Sequence, residues 1–205
     1  MSKTSVCISR ANSKLGSIPS INLPPITTCR ENCPCAKLCY ACKGRFRFKN
    51  VKQSMLRNLT IYNTDPVLYE NSIIKAAYNA RFFRFHAAGD IPDTDYLAMM
   101  CRIARKCKGT KFLAFTKKYE MINGYIGAGN KIPRNLKIVF SYWFGLYCFN
   151  PYKFPVAYIR LKNGINQHEI PVYAHECSGN CAMCVGGRKS CWSLRAGQSV
   201  VFDEH

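Results

Sequence analysis

The sequence predicts an α/β protein, either a partial barrel or an open parallel sheet of βα units, with cysteine-rich loops at both ends. Three observations predict this class. Short runs of aromatic and branched residues alternate with segments of helical spacing, an order typical of βαβ units. The cysteines gather mainly in two groups that flank this alternating region. The chain of 205 residues is 48% hydrophobic, which is enough to bury a core.

Each element follows from local pattern. Prolines around the apolar piece at residues 21–23 predict an irregular or extended stretch over residues 1–28. Apolar residues at helical spacing predict helices over residues 51–63, 66–80, 94–106 and 119–125. Asp65 before a proline opens the second of these helices, and Asp93 or Thr94 caps the third. Apolar runs bounded by turn residues predict strands over residues 81–86, 111–116, 136–143, 156–161 and 172–174.

The chain is expected to form one domain over residues 1–205. We divide it into an N-terminal cluster loop at 29–44, a βα core at 81–174 and a C-terminal cluster segment at 175–205. No apolar run reaches the ~18–20 residues of a membrane span, and the start of the chain lacks the apolar stretch of a signal peptide. These features predict a cytoplasmic protein without membrane contact.

The number and grouping of the cysteines limit the classes of function that the chain can have. The chain has 13 cysteines, an odd number that cannot be fully paired within one molecule, and a cytoplasmic protein keeps its thiols reduced. Grouped, reduced thiols are best used as metal ligands. One group comprises Cys29, Cys33, Cys35, Cys39 and Cys42, and the other comprises Cys177, Cys181, Cys184 and Cys191. The remaining four, Cys7, Cys101, Cys107 and Cys148, are expected to be ordinary core residues.

The spacing within each group favours iron–sulfur clusters. Both groups contain C-x3-C-x2-C, at residues 35–42 and at residues 177–184, and Cys191 follows the second. Short loops of this kind surround one cluster with thiolates. Zinc also accepts four thiolates, but zinc sites more often pair two C-x2-C units or use histidine. We predict that Cys177, Cys181, Cys184 and Cys191 bind one [4Fe–4S] cluster and that the first group binds another.

The ligand set of the first group stays open. Cys35 and Cys39 are its safest ligands, Cys29 and Cys42 come next, and the spacing gives Cys33 no role. If four thiols bind, the cluster is closed and suits electron transfer. If three bind, one iron remains open to S-adenosylmethionine or another small ligand. In either case the loop is expected at the carboxyl ends of the parallel strands, where α/β sheets gather their sites.

The order of cysteine loop, helix, strand ending in glycine and aspartate, helix and strand resembles the first half of a radical SAM partial barrel. In that superfamily a glycine-rich strand end holds the amino group of the methionine moiety. The resemblance therefore implies that His86, Gly89 and Asp90 contribute to a cofactor site. Two features depart from the superfamily pattern: Tyr40 directly follows the second cysteine of the triad, and no glycine-rich adenine-binding motif follows residue 136.

A closer resemblance covers most of the chain. The motifs at residues 12–16 and 22–24, the first cysteine group with Tyr40 and Ala41, residues 86–90 and the C-terminal cysteines together resemble the phage "gene product 88" family. That family occurs in bacteriophages and mobile elements, so the resemblance implies the cytoplasm of a host cell. It favours Cys29, Cys35 and Cys39 as shared thiols, which conflicts at one position with the radical SAM triad.

The charge predicts a polyanionic partner. Lys and Arg number 30 against 11 Asp and Glu, a formal net charge of +19. Residues 43–57 and 102–118 are basic stretches without an acid, and aromatic residues interleave with the first. A field of this sign favours nucleic acid, although solubility or the neutralisation of an anionic cluster also explains it. The sequence contains no motif of a known sequence-specific nucleic-acid-binding domain.

Three functional hypotheses follow from these observations. The first is a protein with two [4Fe–4S] clusters that transfers electrons to a redox partner and contacts nucleic acid. The second is a small radical SAM-like enzyme with an open N-terminal cluster. The third is a zinc-stabilised nucleic-acid-binding protein. Hydrolase chemistry by carboxylates is disfavoured, because the chain has few acids and no paired carboxylates or Ser-His-Asp order.

Overall fold

The computed structural model describes residues 5–187 and 190–204. Its strands are β1 Ile8–Ser9, β2 Ser20–Ile21, β3 Phe82–Phe85, β4 Lys111–Thr116, β5 Leu136–Ser141, β6 Val156–Arg160, β7 His175–Glu176 and β8 Ser199–Asp203. They form one open sheet in the order β1-β2-β3-β4-β5-β6-β8-β7. The β1–β2 pair is antiparallel and the other neighbouring pairs are parallel. The predicted α/β class and the open parallel sheet are confirmed.

Five α-helices accompany the sheet in the described part of the chain: α1 Lys49–Thr64, α2 Pro66–Ala77, α3 Thr94–Lys106, α4 Tyr119–Gly127 and α5 Cys181–Cys184. The first four were predicted. Asp65 caps α2 by accepting a hydrogen bond from the backbone N–H of Leu68 at 2.8 Å. Asp93, and not Thr94, caps α3 by accepting one from the N–H of Tyr96 at 2.7 Å. These caps satisfy donors that a helix start leaves free.

The two faces of the sheet are covered differently. Side chains alternate along a strand, so Phe83 and Phe85 of β3 pack with α1 to α4 in the larger core. The opposite face carries Phe82 of β3 and Val139 of β5, and it packs against chain from both termini. The covering residues are Leu15, Ile18, Cys181, Cys191, Trp192 and Leu194. The N-terminal and C-terminal segments therefore meet on one face of the sheet.

The strand predicted over residues 172–174 is wrong. These residues lie in a turn closed by a hydrogen bond from the N–H of Ala174 to the carbonyl of Pro171, and Val172 is fully exposed. The strand β7 begins one residue later. Several boundaries also differ by two or three residues, since α1 begins at Lys49, α2 ends at Ala77, α4 ends at Gly127 and β5 ends at Ser141. None of the helices that the structure describes has the length and apolar character needed to cross a bilayer.

Candidate functional site: a cysteine-lined cavity

A cavity of about 740 Å³ opens at the carboxyl ends of the parallel strands, on the face that the two termini cover. This is the edge at which open α/β sheets bind ligands, and the volume suits a small organic molecule. The strand ends supply one wall, consisting of Arg84, Phe115, Lys117, Ser141, Tyr142, Trp143, Tyr158 and Phe202. The cysteine-bearing segments supply others.

The N-terminal cysteine loop is fastened to this edge at two points. The Tyr40 hydroxyl donates a hydrogen bond to the carbonyl of Ala87, directly after β3. The Arg30 guanidinium donates to the carbonyl of Lys117 at 3.3 Å, directly after β4, and to the carboxylate of Glu120 at 2.7 Å. Between these points the loop forms short 3-10 turns at Pro34–Leu38 and Tyr40–Cys42. The loop therefore lies against the carboxyl ends of β3 and β4.

The thiols of this loop are close together but differ in exposure. Cys35 and Cys39 line the cavity, Cys42 is exposed, and the Sγ atoms of Cys33 and Cys35 are 3.0 Å apart. The hydrogen bond between this pair lowers the pKa of Cys33 and raises the pKa of Cys35. Burial, and then the charge of Asp90, raise the pKa of Cys29 to about 11. Cys33, to which the spacing gave no role, thus sits directly beside a predicted ligand.

The C-terminal cysteine group is held by the start of the chain. The N–H of Cys181 donates to the carbonyl of Lys14 at 2.9 Å. Gly16 leaves the room for this contact, because a Cβ at Gly16 would lie 2.6 Å from the Cβ of Ala182. Gly16 also has a φ of 58°, in the region that favours glycine. The first turns of the chain therefore fix where α5 presents its cysteines.

Burial and mutual proximity dominate the chemistry of the C-terminal thiols. Burial raises the pKa of Cys191 to about 12; the charge of Arg84 opposes this, while the other three cysteines of the group add to it. Cys181 and Cys191 are buried and line the cavity. The N–H of Gly179 approaches the Sγ of Cys177 at 3.4 Å, and backbone N–H groups directed at sulfur are a known means of tuning iron–sulfur clusters.

The cavity thus brings the two cysteine groups to one place. Cys35 and Cys39 enter its lining from the N-terminal loop, and Cys181 and Cys191 enter it from the C-terminal segment. Arg84 lies in the wall between them, close enough to act on the pKa of Cys181 and Cys191. The two cysteine groups, which are far apart in sequence, therefore line the same cavity.

The donors of both groups are thiols, the ligands that iron–sulfur clusters use and that zinc also accepts. Among residues 5–187 and 190–204, no three His, Cys, Asp or Glu side chains converge as ligands of one metal ion. Buried thiols of raised pKa release protons when they bind metal, which makes binding pH-dependent.

His86, Gly89 and Asp90 do not line the cavity. The His86 ring turns to the helix side and bonds to the Tyr96 hydroxyl. Gly89 has a φ of 82°, and a Cβ there would lie 2.6 Å from the carbonyl oxygen of Leu23. The Asp90 carboxylate accepts from the N–H groups of Ile91 and Lys117. All three residues therefore make contacts that stabilise the chain at the end of β3. Their assignment to a cofactor site remains a prediction.

Sequence reasoning missed one residue of the cavity wall that the fold makes prominent. Arg84 was included in the strand but was given no role, and it is the charged position in a run of aromatic residues over 82–85. A cation in a strand whose neighbours are buried is the signal that would have found it. Lys117, which follows β4, also lies in the wall, and its Nζ donates to the Oγ of Ser141 at 2.8 Å.

The basic stretches lie largely on the surface. All six cations of residues 43–57 are exposed, along the 3-10 turn at Gly44–Arg47 and on α1. In the second stretch, Arg102 and Lys106 bind the carboxylate of Glu70 at 2.8 and 3.1 Å. The first stretch borders the cavity through Arg45. It offers positive charge at the mouth of the site.

Fold and site define a class: an α/β protein with an open, mostly parallel sheet and a cavity at its carboxyl edge that two cysteine groups line. The chain belongs to the Gene product 88 family, a phage-associated family whose model matches residues 3–143. The match includes the N-terminal cysteine loop and ends before the C-terminal cysteine group. No curated protein and no solved structure matches the chain.

Proposed function

We propose that this protein is an iron–sulfur protein that carries two [4Fe–4S] clusters and transfers electrons. Cys177, Cys181, Cys184 and Cys191 hold one cluster, and Cys29, Cys35, Cys39 and Cys42 hold the other. The observation that carries the proposal is that thiols from both groups line one cavity. Bound clusters supply one-electron redox chemistry.

The surroundings of the thiols support this proposal. Burial raises the pKa of Cys181, and the charges of Arg84 and Lys14 oppose that rise. The hydrogen bond with Cys33 raises the pKa of Cys35, and the charge of Lys117 opposes it. The same positive charges stabilise thiolates and offset the negative charge of a cluster. The proximity of the two groups favours passage of an electron between them. An exposed basic surface beside the site favours an acidic redox partner or nucleic acid.

Anaerobic purification followed by metal and sulfide analysis tests the proposal. We expect about eight irons and about eight acid-labile sulfides per chain, because each of the two cubane clusters contains four irons and four sulfides. A colourless protein that contains zinc would overturn the proposal and support the zinc-stabilised alternative. A protein with about four irons would leave one cysteine group without a cluster and contradict the two-cluster arrangement.

The radical SAM-like enzyme is the second candidate. It is favoured by the position of the cysteine loop, which follows β2, precedes α1 and reaches the carboxyl edge beside the end of β3. Cys35 and Cys39 line the cavity, which is the side from which a small ligand would approach an iron. Addition of S-adenosylmethionine to the reduced protein separates the candidates. A changed electron paramagnetic resonance signal with formation of 5′-deoxyadenosine supports the enzyme; neither change supports the closed, electron-transferring cluster.

A further inference from the structure

Arg84 is a cation in the cavity wall without an acidic partner in the described chain. Its guanidinium lies over the ring of Phe115, with Cζ 4.2 Å from the ring centroid, and its Nε donates to the carbonyl of Phe85 at 3.2 Å. Ion pairs of the described residues involve other cations. Arg84 is half-buried, and a cation removed from water is costly unless it is paired. The cavity therefore offers a position for an anion beside the cysteine group on which the same charge acts.

A second cation lies in the same wall. The Nζ of Lys117 is 2.8 Å from the Oγ of Ser141 and 5.9 Å from the centroid of the Trp143 ring. The carboxylates in the lining do not neutralise these cations, because they are engaged elsewhere. Asp203 pairs with Arg160 at 2.9 Å, and Glu204 accepts from the N–H of Lys162 at 3.0 Å.

Aromatic rings form the neighbouring part of the wall. Trp143 lies beside Lys117, and the rings of Tyr142 and Tyr158 are 5.1 Å apart. All three line the cavity and are partly exposed to it. Aromatic faces bind flat rings by stacking, and they accept any base because every base has a π-face. A ligand that carries both an anion and a flat ring matches this wall.

We propose that the cavity binds a nucleotide, with its phosphate at Arg84 and Lys117 and its base against Tyr142, Trp143 and Tyr158. Guanidinium groups match phosphate through paired hydrogen bonds, and the volume of about 740 Å³ accommodates a nucleotide. Lys14 and Arg45 also line the cavity and would meet adjacent phosphates if the nucleotide belonged to a single strand. None of these residues is a cysteine, so nucleotide binding and cluster binding are measured separately, although the charges of Arg84, Lys14 and Lys117 also act on the thiols.

Calorimetric titration of the anaerobically purified protein tests this proposal. The probes are AMP, adenosine and inorganic phosphate, together with an oligothymidylate of ten nucleotides. We expect AMP to bind more tightly than either of its parts, and Arg84→Gln to weaken binding at least about tenfold through the loss of charged hydrogen bonds. Lys108→Gln is the matched control, because it also removes one positive charge. Lys108 is exposed, follows α3 and does not line the cavity. This variant should leave binding within about twofold, since a distant surface charge is screened.

The oligonucleotide separates a free nucleotide from a nucleotide within a strand. Tight binding of the oligonucleotide with weak binding of AMP, and sensitivity of both to Arg84→Gln, assigns the site to nucleic acid. Equal weakening by Arg84→Gln and Lys108→Gln shows only general attraction of polyanions and overturns the proposal. So does an unchanged AMP affinity in Arg84→Gln accompanied by loss of iron, which would assign Arg84 to the cysteine group alone.

A tryptophan signal keeps the test decisive if Arg84→Gln fails to fold. The chain has 2 tryptophans, and Trp143 lines the cavity whereas Trp192 packs beneath it against Phe82. AMP should quench the fluorescence of the unaltered protein, and Trp143→Phe should abolish that saturable quenching. Quenching that persists in Trp143→Phe places AMP elsewhere and contradicts the proposal.

Discussion

The Nε2 of His86 lies 2.9 Å from the hydroxyl oxygen of Tyr96, and this contact joins the end of β3 to the start of α3. The hydroxyls of Tyr96 and Tyr69 are in turn 2.8 Å apart. Burial, with a smaller contribution from Arg84, lowers the pKa of His86 to about 3, so its ring is neutral at physiological pH. His86 also has a φ of 56°, which a histidine seldom adopts. The buried chain of hydrogen bonds holds the strand end in that conformation.

Tyr96→Phe should destabilise the protein by about 1–3 kcal/mol, because it leaves both His86 and Tyr69 without their buried hydrogen bond. Chemical denaturation of the anaerobically prepared protein measures the change. Tyr78→Phe is the control, since Tyr78 is 66% exposed and its hydroxyl should contribute little. Equal stability of Tyr96→Phe and the unaltered protein would contradict a structural role of this chain.

Gly89→Ala should destabilise the fold by roughly 1–3 kcal/mol or more, through a strained positive φ and a forced shift of the neighbouring backbone. The added methyl group would meet the carbonyl oxygen of Leu23 at 2.6 Å and the Oγ1 of Thr28 at 2.8 Å. Gly109→Ala is the matched control, because a Cβ there meets no atom of the described chain within 4 Å. Thermal unfolding of the two variants should differ clearly; similar melting temperatures would show that the loop at 23–28 yields readily.

Glu70 is expected to contribute stability that depends on pH. Burial alone would raise its pKa, but hydrogen bonds from Arg102 and Lys106 bring the pKa below the ordinary value of 4.5. A lowered carboxylate pKa stabilises the fold above the unfolded pKa, and this contribution is lost as the pH falls through the folded pKa.

Glu70→Gln should therefore cost roughly 1–2 kcal/mol at pH 7, and the difference from the unaltered protein should shrink as the pH falls below about 4.5. Urea unfolding over a series of pH values measures it. Glu120→Gln removes the more exposed carboxylate of the pair with Arg30 and should cost less than about 1 kcal/mol. If Glu70→Gln lowered the free energy of unfolding by the same amount at every pH, the charge of Glu70 would be excluded as the cause of its stabilising effect.

Cys191→Ala should remove about four irons from the protein as purified, because a cubane deprived of one of four thiolates is destabilised. Cys148→Ala should leave the iron content unchanged. Cys148 is a suitable control because it is partly buried and lies outside both cysteine groups. Equal iron in the unaltered protein and in the double variant Cys181→Ala/Cys184→Ala would rule out a C-terminal cluster.

The parts of the fold that the sequence predicted are those with a local pattern. The strand β3 and the helix α3 each carry their period within their own residues, and Asp93 marks where the helix begins. The strands β1 and β2 have two residues each, too few to show alternation. The strand β8 pairs with β6, more than thirty residues earlier, so its position depends on a contact that local pattern does not contain.

The site divides in the same way. Cysteine spacing indicated which thiols belong together, because ligands in a short loop are neighbours in sequence. The meeting of the two groups depends on the sheet, and so does the position of Arg84 between them. Asp90 illustrates the converse: its place after a strand suggested a ligand-binding role, whereas backbone N–H groups occupy its carboxylate in the structure.

The hydrogen bond between Cys181 and Lys14 has a consequence for biosynthesis. Lys14 accepts this hydrogen bond from a residue that the ribosome adds almost 170 residues later. Leu15 and Ile18 pack with Cys181 of α5 and with Trp192, so they lack this cover until those residues have been synthesised. During translation the first cysteine loop is therefore complete long before the second group exists, and the cavity that both groups line closes late in folding.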